Sequence, residues 1–198
     1  IAQYDNIVHE YLSFSPLVSK ILTVDFNVSP RKIRQQRTPV KKPLVRKTKA
    51  MHDLARQFLN VSASAHVVGM VSRISPEKGI LDALDIFEMY HMLREDSVFV
   101  IIGGAENNKK AQEYYDKVLN RIGELRSKNI RVELIGGVLP NTVASLQCGF
   151  DMAINTSQTE GMSLTMSEQL YAGIPCVYPD YPDVGLGIDF TSPEQRLQ

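Results

Sequence analysis

Short apolar runs alternate with longer amphipathic stretches from His66 onward, and this alternation constrains the fold more than any other feature of the chain. The apolar runs have the length of buried strands and occur at residues 66–72, 98–102, 130–135, 151–155 and 174–178. The stretches between them repeat their apolar residues with the helical period of about 3.6. Strands that alternate with helices require crossover connections, which produce a parallel sheet covered on both faces. We therefore predict a doubly wound, Rossmann-like α/β fold.

The loops that follow the strands form the candidate site, because ligands of a doubly wound sheet bind beyond the carboxyl ends of its strands. The helices predicted between the strands occupy residues 80–93, 108–127, 141–148 and 163–172. The candidate loops are therefore residues 73–79, 103–107, 136–140 and 156–164.

Composition excludes several classes of protein. The 198 residues carry 22 basic and 22 acidic side chains, so the basic excess of a dedicated nucleic-acid binder is missing and we expect no nucleic-acid partner. Cys148 and Cys176 lack the spacing of metal ligands, and we predict no metal site. The apolar runs are much shorter than the roughly 20 residues that span a bilayer. A cytoplasmic location fits best.

The first 60 residues show no regular pattern, and we predict an irregular segment over residues 1–60 followed by a domain over residues 61–198. Nine of the residues 31–49 are Arg or Lys and none is acidic, while Pro39 and Pro43 interrupt any helix. Two interpretations of this basic connector stay open. It is either a solvated loop or a contact for a partner lobe or an anionic membrane surface, and the membrane contact would make the protein peripheral.

The first candidate loop carries two cations. Arg73 and Lys78 stand five residues apart where a predicted strand passes into a helix. The planar fork of an Arg and the mobile charge of a Lys could together neutralise a diphosphate. Such pairs are also common on protein surfaces, so this loop alone does not establish a ligand.

The last candidate loop leads into a helix and carries two carboxylates, Glu160 before the helix and Glu168 within it. Gly161 permits close approach of a ligand to the backbone, and the N–H groups of residues 163–165 lie at the positive end of the helix dipole. A phosphate flanked by sugars that carry hydroxyl groups would suit this arrangement. The alternative is an ordinary acidic helix start, with Glu168 on the solvated surface.

Taken together, residues 67–177 resemble the donor-binding, C-terminal domain of the retaining glycosyltransferases of the GT-B fold, family 4 type. The resemblance is carried by a strand with its cation loop, a turn, a second strand and a signature with two glutamates. In chain order these are residues 68–79 (VGMVSRISPEKG), 135–141 (IGGVLPN), 151–157 (DMAINTS) and 160–177 (EGMSLTMSEQLYAGIPCV).

The resemblance implies transfer of a sugar from a nucleoside-diphosphate sugar, with UDP or GDP as the nucleotide, in polysaccharide or glycoconjugate biosynthesis. It implies retention of the anomeric configuration and no metal or other cofactor. Arg73 and Lys78 would hold the diphosphate and form the catalytic set with Glu160, which would face the donor sugar. The implied donor-binding residues are Val138 at the nucleobase, Met162 at the sugar, Glu168 at the ribose, and the backbone of Gly161, Ser163, Leu164 and Thr165.

Two departures from the family pattern bear on function. Family members usually carry an aromatic residue and then Gly or Pro where this chain has Met162 and Ser163, so the identity of the sugar stays open. Residues 1–65 are too few for the family's N-terminal acceptor lobe, and the family usually continues through a further strand and closing helices. We therefore expect a domain truncated at its C-terminal end, in a fragment of a larger enzyme or a chain that works with a partner subunit. The acceptor is unknown.

Two other functions stay open. A non-catalytic glycosyltransferase-like subunit could stabilise a catalytic partner. Degenerate chains of that kind generally lose the charged groups, which are all present here as Arg73, Lys78, Glu160 and Glu168. An unrelated nucleotide-binding α/β protein, such as a sugar-nucleotide epimerase, would share the fold. The chain has neither the Gly-x-Gly-x-x-Gly fingerprint nor a Walker motif, which disfavours the dinucleotide and P-loop classes.

Overall fold

A computed structural model describes residues 7–36, 45, 47–158 and 163–179. These residues fall into two compact units. The smaller unit holds residues 7–36 together with Ser163 and Leu164, and the larger unit holds the rest. No helix within these residues is long and apolar enough to cross a membrane.

The smaller unit is built on two short parallel strands joined by a helix. Strand β1 (Tyr11–Ser13) pairs with strand β2 (Ile33–Gln35), and helix α1 (Pro16–Val24) connects them. The hydroxyl of Ser15 caps α1 by accepting the N–H of Val18 at 3.2 Å. The result is a β-α-β arrangement.

The prediction of an irregular segment over residues 1–60 is wrong for the parts of it that the structure describes. Besides β1, α1 and β2, these parts contain helix α2 (Lys49–Phe58), which belongs to the larger unit. Strands of three residues are too short to show an alternating pattern. Helix α2 starts inside the basic connector, where Thr48 caps it by accepting the N–H of Met51 at 3.2 Å. Residues 37–44 and 46 of the connector lie outside the described residues.

The larger unit is a five-stranded parallel sheet with helices between its strands. After α2, its elements are β3 (His66–Val71), α3 (Ile80–Leu93), β4 (Ser97–Ile102), α4 (Lys109–Ser127), β5 (Arg131–Ile135), α5 (Pro140–Leu146), β6 (Met152–Ile154), α6 (Leu164–Tyr171, from its second residue onward) and β7 (Cys176–Val177). The strand order is β5-β4-β3-β6-β7, and every pairing is parallel. Strands β4 and β5 follow β3 in order on one side of it, and β6 and β7 follow on its other side. The predicted doubly wound fold is confirmed, and each element ends within two residues of its predicted bounds.

Both faces of this sheet are covered, as a parallel sheet requires. Neighbouring residues of β3 serve opposite faces, since Val68 packs in a cluster with α3 and α4 while Val67 packs in a second cluster. In the second cluster, Phe150 comes so close to β3 that a Cβ atom on Gly69 would lie 2.0 Å from its ring. Glycine at this position is therefore a requirement of packing.

We expect stability to depend on pH through His66, the first residue of β3. Its Nδ1 atom lies 3.0 Å from the hydroxyl oxygen of Tyr90. Partial burial lowers the pKa of His66 below its ordinary value of 6.5, because desolvation outweighs the attraction of Asp151. The unfolded chain therefore takes up this proton before the folded one does. We expect the contribution of His66 to the free energy of unfolding to be complete above pH 6.5 and to be lost as the pH falls toward the folded-state pKa.

Urea unfolding at about pH 7.5 and about pH 5.5, on either side of the ordinary His pKa, measures this loss. The variant His66→Gln cannot titrate and should lose less stability between the two values than the unaltered protein. Equal losses in the two proteins would contradict the expectation.

Candidate functional site

The loops that follow β3 and β6 are fastened together at the carboxyl edge of the sheet. The hydroxyl of Thr156, after β6, donates to the carbonyl oxygens of Gly79 at 2.7 Å and Lys78 at 3.2 Å, both after β3. The N–H of Gln158 donates to the carbonyl oxygen of Glu77 at 2.9 Å. These contacts lie where the order of strands reverses, which is the usual ligand site of such a sheet.

Gly79 allows the two loops to meet. Its φ is +63°, a left-handed conformation that residues with a Cβ atom disfavour. A Cβ atom at this position would lie 2.3 Å from the carbonyl oxygen of Thr156. The next residue, Ile80, is fully buried and begins α3, so the end of the loop is anchored in the core.

Both predicted cations lie on the loop after β3. Arg73 follows the strand with 60% of its side chain exposed, and the adjacent Ile74 is fully buried. Lys78 is half-buried and ends the short 3-10 turn Pro76–Lys78. The structure thus places both residues at the carboxyl edge of the sheet, while their role toward a diphosphate stays a prediction.

The guanidinium of Arg73 is paired with two carboxylates. It donates through Nη1 to Oε1 of Glu106, in the loop between β4 and α4, and its Nη2 lies 3.8 Å from Oε1 of Glu77. Glu77 also accepts the hydroxyl of Ser75 at 2.7 Å, and this hydrogen bond lowers the pKa of Glu77. Among the described residues, no three His, Cys, Asp or Glu side chains are grouped to hold a metal ion.

The loop that leads into α6 is described only in part. Three residues of the predicted site lie outside the described residues: Glu160, Gly161 and Met162. Ser163 is buried directly before α6, and Leu164 and Thr165 lie in its first turn. The first N–H groups of a helix have no acceptor among the carbonyl groups of that helix. Glu168 follows one turn later and is half-buried.

Val138 lies in the loop after β5, and in the sheet β4 stands between β5 and β3. The loops that follow neighbouring strands nevertheless approach each other closely along the carboxyl edge of the sheet. A Cβ atom on Gly103 would lie 1.8 Å from the carbonyl oxygen of Ser72, and one on Gly104 would lie 3.4 Å from the nitrogen of Gly137. The carboxyl-end loops therefore form a continuous rim from Val138 to the loop after β6, and we call these loops the rim.

The family model of the group 1 glycosyl transferases matches residues 52–184. This chain belongs to that family. The matched region runs from α2 through β7 and contains every loop of the rim. The resemblance that the sequence motifs indicate is therefore confirmed at the level of the family.

Two curated relatives illustrate the range of this group 1 family. The chain is 34% identical over 110 residues to the lipopolysaccharide 1,2-N-acetylglucosaminetransferase of Salmonella typhimurium, a match that covers 54% of this chain and 28% of that protein. It is 28% identical over 119 residues to the trehalose synthase of Pyrococcus horikoshii, covering 60% of this chain and 28% of the relative. The matched region thus spans less than a third of either relative.

Solved structures share the fold of this group 1 chain. Anabaena HepE in complex with UDP and glucose superposes with a TM-score of 0.75 at 20% identity, over 88% of this chain and 45% of HepE. The sucrose-phosphate synthase of Thermosynechococcus elongatus gives a TM-score of 0.71 at 19% identity, over 94% of this chain and 44% of that protein. At these identities the likeness shows the fold, and the chain spans less than half of each structure.

Two residues of the rim were not singled out by sequence reasoning, although both fall in loops that the alternation of strands and helices marks. Thr156 joins the loops after β3 and β6, and Glu106 pairs with Arg73. Neither residue forms a recognisable sequence motif with its partner, because the partners are far apart along the chain. Only their positions could have indicated these two residues, since each lies in a loop that closely follows a strand of the sheet.

Proposed function

We propose that this chain binds a nucleoside-diphosphate sugar and supplies the donor-binding half of a retaining glycosyltransferase. The observation that carries the proposal is the fastening of the cation loop to the loop after β6 by the hydroxyl of Thr156. This junction sets Lys78 at the reversal point of the sheet, on the same loop as Arg73. HepE has been solved with UDP and with UDP-glucose, which favours UDP as the nucleotide.

Different parts of the donor are bound by residues of the rim and of α6. Arg73 and Lys78 neutralise the diphosphate, on which negative charge develops as the bond to the sugar breaks, so no metal is required. The N–H groups at the start of α6, from Ser163 to Thr165, add donors for a phosphate oxygen. Glu168 accepts the hydroxyl groups of the ribose, and the backbone at Val138 meets the base.

The remaining roles fall on residues 160–162, where Glu160 and Met162 face the donor sugar and Gly161 lets the backbone approach it. The acceptor binds to a second lobe or to a partner subunit, because the chain spans less than half of the solved structures that it resembles. The Salmonella relative is named for lipopolysaccharide, which supports a glycoconjugate acceptor.

Lys78→Ala should weaken UDP binding by about tenfold or more, because a hydrogen bond to a charged group contributes roughly 1.5–3 kcal/mol. Calorimetric titration of the full chain with UDP and GDP in the presence of EDTA measures the effect and tests the independence from metal. The matched control is Lys117→Ala, which removes an exposed Lys from the middle of α4. No binding of either nucleotide at millimolar concentration by the unaltered protein would contradict the proposed function.

A further inference from the structure

The cation that should receive a diphosphate already holds an anion of the protein itself. Arg73 donates to Glu106, and both side chains are more than half exposed, at 60% and 53%. The two residues come from different loops of the rim, since Arg73 follows β3 and Glu106 follows β4. An ion pair with this exposure contributes little to folding, so its interest lies in what it does to a ligand of Arg73.

Glu106 is held toward Arg73 by the start of α4. The side-chain amide of Asn108 donates to Oε2 of Glu106 at 3.2 Å, while Oε1 of the same carboxylate accepts Arg73. Asn108 is itself fixed as the cap of α4, because its Oδ1 accepts the N–H of Ala111 at 2.9 Å. The carboxylate is therefore attached to a helix of 19 residues at one side and to the cation at the other.

We propose that Glu106 competes with the diphosphate for Arg73 and thereby limits the affinity of the site for its nucleotide. This inference rests on the proposed function. When the nucleotide binds, Arg73 exchanges a carboxylate for phosphate oxygens. The diphosphate prevails because it carries more charge and more acceptor oxygens than one carboxylate. When the nucleotide leaves, Glu106 takes its place, so the guanidinium is paired in both states.

This exchange favours release of the nucleotide product. A carboxylate held beside Arg73 is in position to pair with its guanidinium as the nucleotide departs. Glu77 contributes less to the exchange, because it lies 3.8 Å from Arg73 and is already engaged by the hydroxyl of Ser75. Glu106 is thus a positioning residue that acts on the nucleotide through Arg73.

The substitution Glu106→Gln tests the proposal, because it removes the charge and keeps the shape and the link to Asn108. We expect UDP to bind about three- to fivefold more tightly and to dissociate more slowly, as the loss of one exposed ion-pair competitor would produce. The matched control is Glu95→Gln, an equal change of net charge on the exposed loop before β4, at the opposite edge of the sheet. A residue with a merely structural role would weaken UDP binding when replaced.

A double-mutant cycle with Arg73→Gln separates competition for Arg73 from general repulsion of the nucleotide. We expect the gain from Glu106→Gln to shrink to less than about twofold once Arg73 is absent, since the competitor then has nothing to occupy. A gain of undiminished size in that background would overturn the proposal.

The failure of this inference can be told from the failure of the proposed function. If UDP and GDP do not bind to the unaltered protein, the proposed function fails. If UDP binds and Glu106→Gln behaves like Glu95→Gln or weakens binding, only the competition by Glu106 is overturned. Tighter binding in Glu106→Gln alone, lost in the absence of Arg73, supports both.

Discussion

Replacing Arg56 with alanine should lower the free energy of unfolding by about 3–5 kcal/mol, the range observed when one partner of a buried ion pair is removed. Arg56 lies in α2 with only 4% of its surface exposed. Its Nη2 donates to the carboxylate of Asp151, and its Nη1 donates to the carbonyl oxygens of Ser62, Ala63 and Ala65 at 2.8–3.0 Å. The substitution would remove one donor from each of these acceptors.

The carboxylate of Asp151 contributes to this expected loss. Burial would raise the pKa of Asp151, but the N–H of Val67, which donates to it at 2.8 Å, and the charge of Arg56 outweigh burial and hold the pKa below its ordinary value. Without Arg56 the carboxylate keeps its desolvation and loses the cation that donates to it. It must then remain charged at a cost or take up a proton.

Urea unfolding of Arg56→Ala and of Arg56→Ala with Asp151→Asn measures this effect. The loss caused by Arg56→Ala should be smaller when it is measured in the Asp151→Asn background, because residue 151 then carries no charge that needs a partner. Arg94→Ala is the surface control, since Arg94 is 45% exposed at its side chain and pairs with Asp96. It should change stability by less than about 0.5 kcal/mol. A loss below about 1 kcal/mol for Arg56→Ala would contradict the assignment of a buried ion pair.

The sheet could be predicted from the sequence because both of its faces are buried. Strands such as β3 and β4 then appear as continuous apolar runs, and the helices between them carry their apolar residues at a regular period. β1 and β2 could not be predicted in this way, because three residues are too few to define a period. Helix α2 was missed for another reason, since its buried face includes the charged Arg56, and the sequence does not reveal that Arg56 pairs with the distant Asp151.

The candidate site was predictable as a set of loops but less so as a set of contacts. Arg73 and Lys78 could be found because two cations after a strand suggest an anion. Glu106 could not be paired with Arg73, because the register of β3 with β4 and the geometry of two loops decide that contact. Gly79 could be noted in the sequence, but the need for glycine at this position could not be predicted, because it arises from the contact with the loop of Thr156.

Gly79→Ala should destabilise the larger unit by about 3 kcal/mol or more and should also weaken UDP binding. The left-handed conformation contributes about 1–2 kcal/mol of this cost for a residue with a Cβ atom. The rest comes from the contact of 2.3 Å that the new atom would make with the carbonyl oxygen of Thr156. The position of the new Cβ atom is fixed by the backbone of residue 79 and its partner is a backbone oxygen, so no side-chain rotation can relieve the contact, and the two loops of the rim must separate.

Gly173→Ala supplies the matched control, because Gly173 also has a positive φ, of +83°, but a Cβ atom there would meet nothing within 4 Å. This variant should show the conformational cost alone, about 1–2 kcal/mol, and should keep its affinity for UDP. Urea unfolding and UDP titration of both variants separate the two causes. If Gly79→Ala lost no more stability than Gly173→Ala and bound UDP normally, the close junction of the loops would not be what sets Lys78 in place.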